Sequence, residues 1–391
     1  MEHPLVIDMK FADPDPQEII ARCRVQQPQP APRWIKEIPG NLKKNALKFL
    51  IERHLYKEGK VWGLARGEPT QQAPYDEVGT HRFLAAVKTY AVKEQIPGYS
   101  RAAEKQALRF WQSWQDPKTG RFHDPDNPER LVNEKYVVAI IRQLGGELLY
   151  SHTTTSSTGQ IETAVFLRRT KDDPDWQAGG WGVGSHTGFM AVEIYRAINE
   201  QSREDLIPDL EEGMTRILSH QNRDGLFGPP EAPLAGRIGG TLKVIGRFYG
   251  RMGLIVPYTR ELADTLIEKQ ARGEFHACST NDCPQLNEAS MIGYCLEVSE
   301  YRRGELHAAL ASVAEDLQAW VNDDGSVSHN RGQPGGLQSL VTSALSRCSP
   351  YLNWQDCPFG NSSICGECSW VGDQYRAGLT PEGRVKVIKR W

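Results

Sequence analysis

Six glycine turns recur along this chain, and they constrain its architecture more than any other feature. They read Gly59-Lys60-Val61-Trp62, Gly120-Arg121-Phe122, Gly180-Trp181, Gly225-Leu226-Phe227, Gly273-Glu274-Phe275 and Gly325-Ser326-Val327. Each follows a segment of helical character, and an aromatic or β-branched residue comes within two positions. The interval is roughly 45 to 60 residues, the span of one supersecondary unit in a repeat protein. A helix, a sharp turn and a second helix of different character, repeated six times, predict a closed ring of helical hairpins. The inner helices of such a ring surround a central cleft.

Hydrophobic spacing supports this reading. Apolar residues at every third or fourth position, with charges between, mark outer helices over 41–56, 102–114, 161–169, 207–220, 258–270 and 305–321. Segments richer in Gly, Ala, Val and Ile over 77–93, 131–144, 187–199, 238–251, 286–298 and 335–347 predict inner helices covered on most sides. Pro208 and Pro257 fall at or just before helix starts, where a missing N–H costs little. No long run of period two competes. The predicted class is all-α, an (α/α) toroid of six hairpins, with a seventh, degenerate hairpin or a closing strap in the tail from Ser349 to Trp391. Residues 1–40 are Pro-rich and read as an extended arm. Residues 41–391 read as a single domain without an interdomain linker.

Composition narrows the function. A net charge of −3 over 391 residues, with no basic run longer than a pair such as Lys43-Lys44, leaves no nucleic-acid footprint. No window approaches the ~18 apolar residues that span a bilayer, so no membrane partner is expected. The N-terminus lacks a basic segment followed by an apolar stretch. No signal peptide is therefore expected, and the location would be cytoplasmic or, after processing, periplasmic or secreted. Of the eight Cys, Cys278, Cys283, Cys365 and Cys368 could form a four-thiolate zinc site, although the Cys278 to Cys283 spacing is poor for one. Buried thiols, or disulfides among Cys348, Cys357, Cys365 and Cys368, are the alternatives. No other cofactor is expected. The ten Trp serve either packing or as platforms for the apolar face of a pyranose.

In a ring of hairpins the connection from each glycine turn to its inner helix lies at one mouth, and loops on a rigid scaffold carry function. The first connection supplies Tyr75, Asp76, Glu77, His81 and Arg82, and the second Asn133, Glu134, Lys135 and Tyr136. The third supplies Trp181, Ser185, His186 and Thr187, and the fourth Arg237 and Lys243. The fifth gives His276, Asn281, Asp282, Asn287 and Glu288, and the last His329, Asn330, Arg331 and Gln338. Simpler roles exist for several of them. Asp76 and Asn287 suit helix N-caps, Glu134 and Glu288 suit the positive end of a helix, and His81 suits a partly buried site. His186 is the sharpest candidate, because the glycines around it leave its ring exposed at a helix start. Those glycines also permit close backbone approach to a ligand. No strand precedes them and no Lys-Ser/Thr follows, so they do not form a phosphate loop.

Two strings carry a resemblance. Trp114-Gln-Asp-Pro-Lys-Thr-Gly-Arg-Phe-His-Asp with Asn133-Glu-Lys-Tyr136, and Gly239-Gly-Thr-Leu-Lys-Val-Ile-Gly-Arg-Phe-Tyr249 with Pro257-Tyr258, are similar to segments of α/α-barrel polysaccharide lyases. Those enzymes cut polyuronates such as glucuronan or alginate, and the architectural likeness covers most of residues 41–347. The resemblance implies an acidic polysaccharide cleaved by β-elimination. That reaction needs the uronate carboxylate neutralised, a base for the C5 proton and an acid for the leaving oxygen. The mouth supplies Asn133 and Arg237 as neutralisers, His186 as base and Tyr136 as acid, with His81 as a further catalytic candidate. Lys135, Trp181, His276, Asn281, Asn287, Glu288, Arg331 and Tyr75 would contact substrate.

The same architecture serves glycoside hydrolases, which need two carboxylates roughly 5 to 10 Å apart. Asp76 or Glu77 could pair with Asp282 or Glu288. A sugar epimerase would use a His pair such as His186 with His276, and a non-catalytic glycan-binding protein would keep the Trp residues alone. Gln221-Asn-Arg-Asp-Gly-Leu-Phe227 resembles the Gln…Gly-aromatic repeat of triterpene cyclases, but Asp172-Asp173-Pro174-Asp175 matches their protonating motif poorly.

Overall fold

A computed structural model describes residues 42–56, 61–65, 75–89, 92–127, 129–150, 161–274, 283–318, 339–352, 354, 357 and 369–389. The described residues form an all-α protein with one small hairpin of strands. Six helices occupy the positions predicted as outer. They are α1 (Leu42–Phe49), α3 (Arg101–Gln112), α5 (Thr163–Asp172), α7 (Ile207–Leu218), α9 (Thr259–Ala271) and α11 (Arg303–Gln318). The other six alternate with them: α2 (Glu77–Thr89), α4 (Glu134–Gln143), α6 (Trp181–Gln201), α8 (Leu234–Met252), α10 (Cys283–Val298) and α12 (Ser339–Cys348). The N-terminal arm, the glycine turns at Gly59 and Gly325, His276, Asn281, Asp282 and Arg331 lie outside the described residues, as do Cys278, Cys365, Cys368 and the side chain of Cys283.

Local chemistry sets the helix ends. Ser100 caps α3 by accepting a hydrogen bond from Ala103 N at 3.0 Å. Pro208 sits in the first turn of α7, where it deletes an N–H that had no partner to lose. Gly253 ends α8 in the left-handed region at φ 72°, its N–H returning to the Phe248 and Tyr249 carbonyls.

The even-numbered helices pack on one another. The pairs are α2 with α4, α6 with α8, α8 with α10, α10 with α12, and α12 back on α2. Odd-numbered helices also pack on one another, α5 against α7 and α9 against α11. Their character follows from that placement. Every described side chain of α10 from Asn287 to Glu297 is buried, which requires an element apolar almost all round. By contrast α3 and α7 bury one stripe and leave the opposite face in water. A single apolar cluster runs through all the inner helices.

The tail, expected as a seventh helical hairpin or a closing strap, contains strands that the sequence reading did not foresee. Among the described residues it contains no seventh helical hairpin but an antiparallel pair, β1 (Tyr375–Leu379) and β2 (Val385–Lys389), in which Ala377 lies opposite Val387. Tyr375 and Ala377, with Val385 and Val387, turn their side chains inward, the period-two pattern of a half-buried strand. The hairpin is strapped across the helices by side chains that satisfy its edge. Thr215 Oγ1 accepts from Val385 N and Glu211 Oε1 from Val387 N, both at 2.9 Å, while Tyr195 Oη donates to the Tyr375 carbonyl at 2.7 Å. Two five-residue strands are too short to register as a long alternating run, which explains the miss. Cys295 and Cys348 are buried free thiols, and Cys357 is buried as well. No helix among the described residues is long and apolar enough to cross a membrane.

Candidate functional site

The glycine string around residue 180 is a packing device. Helix α6 begins at Trp181, six residues earlier than its pattern predicts, so His186 lies in its second turn and is half-buried. A methyl group added at Gly240 would overlap the Gly179 carbonyl oxygen, and one at Gly236 the Ala178 carbonyl. The glycines admit a neighbouring helix, α8, where the sequence reading expected a ligand. The Trp181 ring lies against Gly239, and neither Trp181 nor His186 lines the large cleft described below. His186 Nε2 is closed off from solvent without a hydrogen-bond partner. Desolvation lowers its pKa, helped by Arg169 and opposed by Asp173.

Arg237, expected to neutralise a substrate, is occupied. Its guanidinium meets both Asp224 oxygens at 2.8 Å and donates from Nε to the Gly228 carbonyl at 3.1 Å, with 3% of the residue exposed. It braces the turn at Gly225. The Gln…Gly-aromatic string is likewise structural: Gln221 donates to the Gly225 carbonyl at 2.9 Å, and Gln115 donates to Gly120 at 3.0 Å in the second turn. Each glutamine also reaches the following unit, Gln221 accepting from Tyr258 N and Gln115 from Tyr150 N.

The first hairpin's carboxylates are also committed. Asp76 accepts from Gly79 N at 2.6 Å as the cap of α2. Glu77 pairs with Arg130 and accepts from Asn133 N at 2.9 Å, tying the starts of α2 and α4 together. Asn133 itself is exposed at the start of α4. Tyr75 packs edge-on against Phe110 and Trp111, and burial raises its pKa first, then the charges of Asp124 and Asp126. Asn287 and Glu288 are each 2% exposed on α10, so neither is positioned to touch a large substrate. Burial pushes the Glu288 carboxyl well above its ordinary range, with Asp316 adding to the shift.

The residues that remain converge elsewhere. A cleft of about 1510 Å³ opens between α4 and α6, with the C-terminal half of α8 at its side. His81, Lys135 and Tyr136 line one part of it. The His81 and Tyr136 rings are 5.2 Å apart between centroids, and Lys135 Nζ lies 4.9 Å over the Tyr136 ring. Desolvation lowers the His81 pKa, and the nearby charges of Arg82 and Lys135 lower it further, with Gln143 opposing. The imidazole is therefore neutral at pH 7.

Further along, the lining turns cationic. Lys118, Lys135, Arg142, Arg196, Arg203, Arg247 and Arg251 stand against Glu147, Glu193 and Glu200. Arg203 is spoken for by Asp205. Among the described residues no carboxylate lies within ion-pairing distance of Arg142, Arg196, Arg247 or Arg251. Desolvation of the guanidinium brings Arg142 down to about 10 although the residue keeps solvent access. The charges of Arg196 and Arg251 add to the shift, and those of Glu147 and Glu200 oppose it. Arg247 falls to about 10 for the same reasons, from enclosure first and then Arg251, Arg347 and Arg196. Its Nε is shut off from solvent without a partner, and its guanidinium lies 3.9 Å from the Phe189 ring centroid.

Sequence reasoning missed all four arginines. All four fall within segments predicted as covered inner helices, and a charge on such a helix was the available signal. Among the described residues no group of three or more His, Cys, Asp or Glu is placed to hold a metal. No protein-family model, no curated protein and no solved structure matches this chain.

Proposed function

We propose that the chain is an (α/α) toroid of six hairpins that binds an acidic polysaccharide in the arginine-lined cleft and cleaves it by β-elimination. Five of six successive inner-helix pairs are in contact, with α12 returning to α2, and this supports a ring that the cleft opens between α4 and α6. The observation that carries the chemistry is the pairing of His81 with Tyr136 on one wall of the cationic cleft. A desolvated, neutral imidazole can accept the C5 proton, and a phenol beside it can donate to the departing glycosidic oxygen. The C4–O bond breaks as the C4=C5 double bond forms, and the Lys135 ammonium beside Tyr136 offsets the charge of the adjacent carboxylate as the carbanion develops. His81 takes the role that the sequence suggested for His186, and Lys135, on the same wall, takes the role suggested for Arg237.

Hydrolysis is the second reading, favoured by Glu193 and Glu200 on the cleft wall. They are seven residues apart on α6, so about 10 Å along the axis, near the upper limit for an inverting pair. Incubation with glucuronan, alginate and a neutral glycan separates the readings. Elimination yields the ultraviolet absorbance of an unsaturated uronate. Sugar release without that absorbance selects hydrolysis, and inertness toward all three removes both. His81→Ala is expected to lower the elimination rate by about 100-fold or more with little change in melting temperature. Unchanged turnover in that variant would take His81 out of the mechanism.

A further inference from the structure

The cleft arginines present more positive charge than one substrate carboxylate needs. Arg247 and Arg251 are one turn apart on α8, Arg196 faces them from α6 and Arg142 from α4. Unpaired arginines in mutual repulsion lower the stability of a fold, so a cluster of this kind calls for an anion. The cluster is also offset from the reacting pair. Arg142 follows Tyr136 by six residues on α4, so about 9 Å along the helix axis, the length of about two linked pyranose units.

We propose that Arg142, Arg196, Arg247 and Arg251 form a distal subsite for a second acidic group on the same glycan, carried about two sugar units from the bond that is cleaved. This rests on the reading of the cleft as the substrate site. The ligand class is thereby narrowed to oligosaccharides with acid groups on closely spaced units, carboxylate or sulfate, and polymers bearing isolated acidic sugars are disfavoured. Arg247 supplies the enclosed end of the subsite, since it is held against Phe189 and cannot swing into water. Arg142 and Arg251 keep solvent-accessible side chains and can close on an anion from two helices.

Equilibrium binding tests this, measured by calorimetry on the full chain carrying His81→Ala to suppress turnover. The probes are saturated oligouronates of one to four units, a neutral tetrasaccharide and inorganic phosphate, each at low and high salt. The three- and four-unit oligouronates are expected to bind about tenfold more tightly than the dimer, with a steep salt dependence. Arg196→Gln and Arg251→Gln should each remove that gain while leaving monomer and dimer affinity within about twofold. Their melting temperatures should equal or exceed the parent's, because each substitution relieves repulsion.

Affinity that does not change with length, or length dependence that survives both substitutions, overturns the inference. A fall in melting temperature would give the arginines a structural role and overturn it as well. Phosphate binding as tightly as the tetramer would make this a site for a free anion, again against the inference. The elimination reading fails separately: length-dependent, arginine-dependent binding by a chain that never generates the unsaturated product removes the chemistry and leaves the subsite standing.

Discussion

Helices α6 and α8 treat their two halves in opposite ways. At their N-terminal ends glycines on α8, at 236, 239 and 240, meet backbone and the Trp181 ring directly, leaving no room for a side chain. The one arginine there, Arg237, has its charge matched by Asp224. In the C-terminal halves the same two helices carry Arg196, Arg247 and Arg251 toward a cleft with no matching carboxylate in contact. One half has its charge paired and its space filled. The other leaves charge and volume unmet, as sites that wait for a ligand do, at some cost in stability.

The strongest way to break this contrast is to add one methyl group to the closed half. Gly240→Ala would drive Cβ into the Gly179 carbonyl and the Gly180 backbone, neither of which can rotate away. A loss of about 3 kcal/mol or more is expected, read as a lowered urea midpoint or as loss of soluble protein. A variant as stable as the parent would mean that α6 and α8 are not in this contact. Arg237→Leu comes next. It strands Asp224, which is partly exposed and so partly rescued by water, and removes one of two donors from the Gly228 carbonyl, which keeps its bond from Asn222 Nδ2. A loss of about 2 kcal/mol is expected, with oligouronate affinity unchanged. Weakened binding at unchanged stability would return Arg237 to the substrate.

Titratable groups buried elsewhere extend the comparison through pH. Burial raises the pKa of Glu288 above its ordinary 4.5, so the unfolded chain ionises first as pH rises through 4.5 and stability falls from there upward. Glu288→Gln should raise the melting temperature at pH 7, and that gain should vanish below pH 4.5. His81, His186, His220 and His307 act in the opposite sense. Desolvation lowers each from 6.5, so the unfolded state binds protons first and stability falls as pH drops below 6.5. Melting curves at pH 4, 5.5 and 7 on both proteins separate the two limbs. A Glu288→Gln variant that gains nothing at pH 7 would contradict a buried, uncompensated carboxyl.

What could be read from the sequence divides along the same line. Helix positions were legible because burial imposes a 3.6-residue period, and most segments lie within about four residues of their prediction, the end of α1 and the start of α6 excepted. The second and fourth glycine turns were legible because a helix-to-helix reversal needs the left-handed backbone that Gly120 and Gly225 adopt, at φ 69° and 80°. Their purpose was not, because close approach to a ligand and close approach to a helix place the same demand on residue type. Gly179 and His186 were therefore assigned to chemistry when their environment is packing. Arg142, Arg196, Arg247 and Arg251 come from three separate helices, and nothing in a linear pattern says that three helices aim their charges at one volume.

The smallest effect separates the halves within a single helix. Gly246 lies on α8 six residues beyond Gly240, and a Cβ added there would meet nothing within 4 Å. No packing reason for glycine exists at that position, and a glycine inside a helix loses more backbone entropy on folding than alanine does. Gly246→Ala is expected to stabilise the protein by about 0.5 to 1 kcal/mol, read as a small rise in urea midpoint at constant slope. The sign matters more than the size, because Gly240→Ala has the opposite sign on the same helix. Destabilisation at both positions would mean that α8 is tightly packed along its whole length, and the cleft could not then be as open as its arginines require.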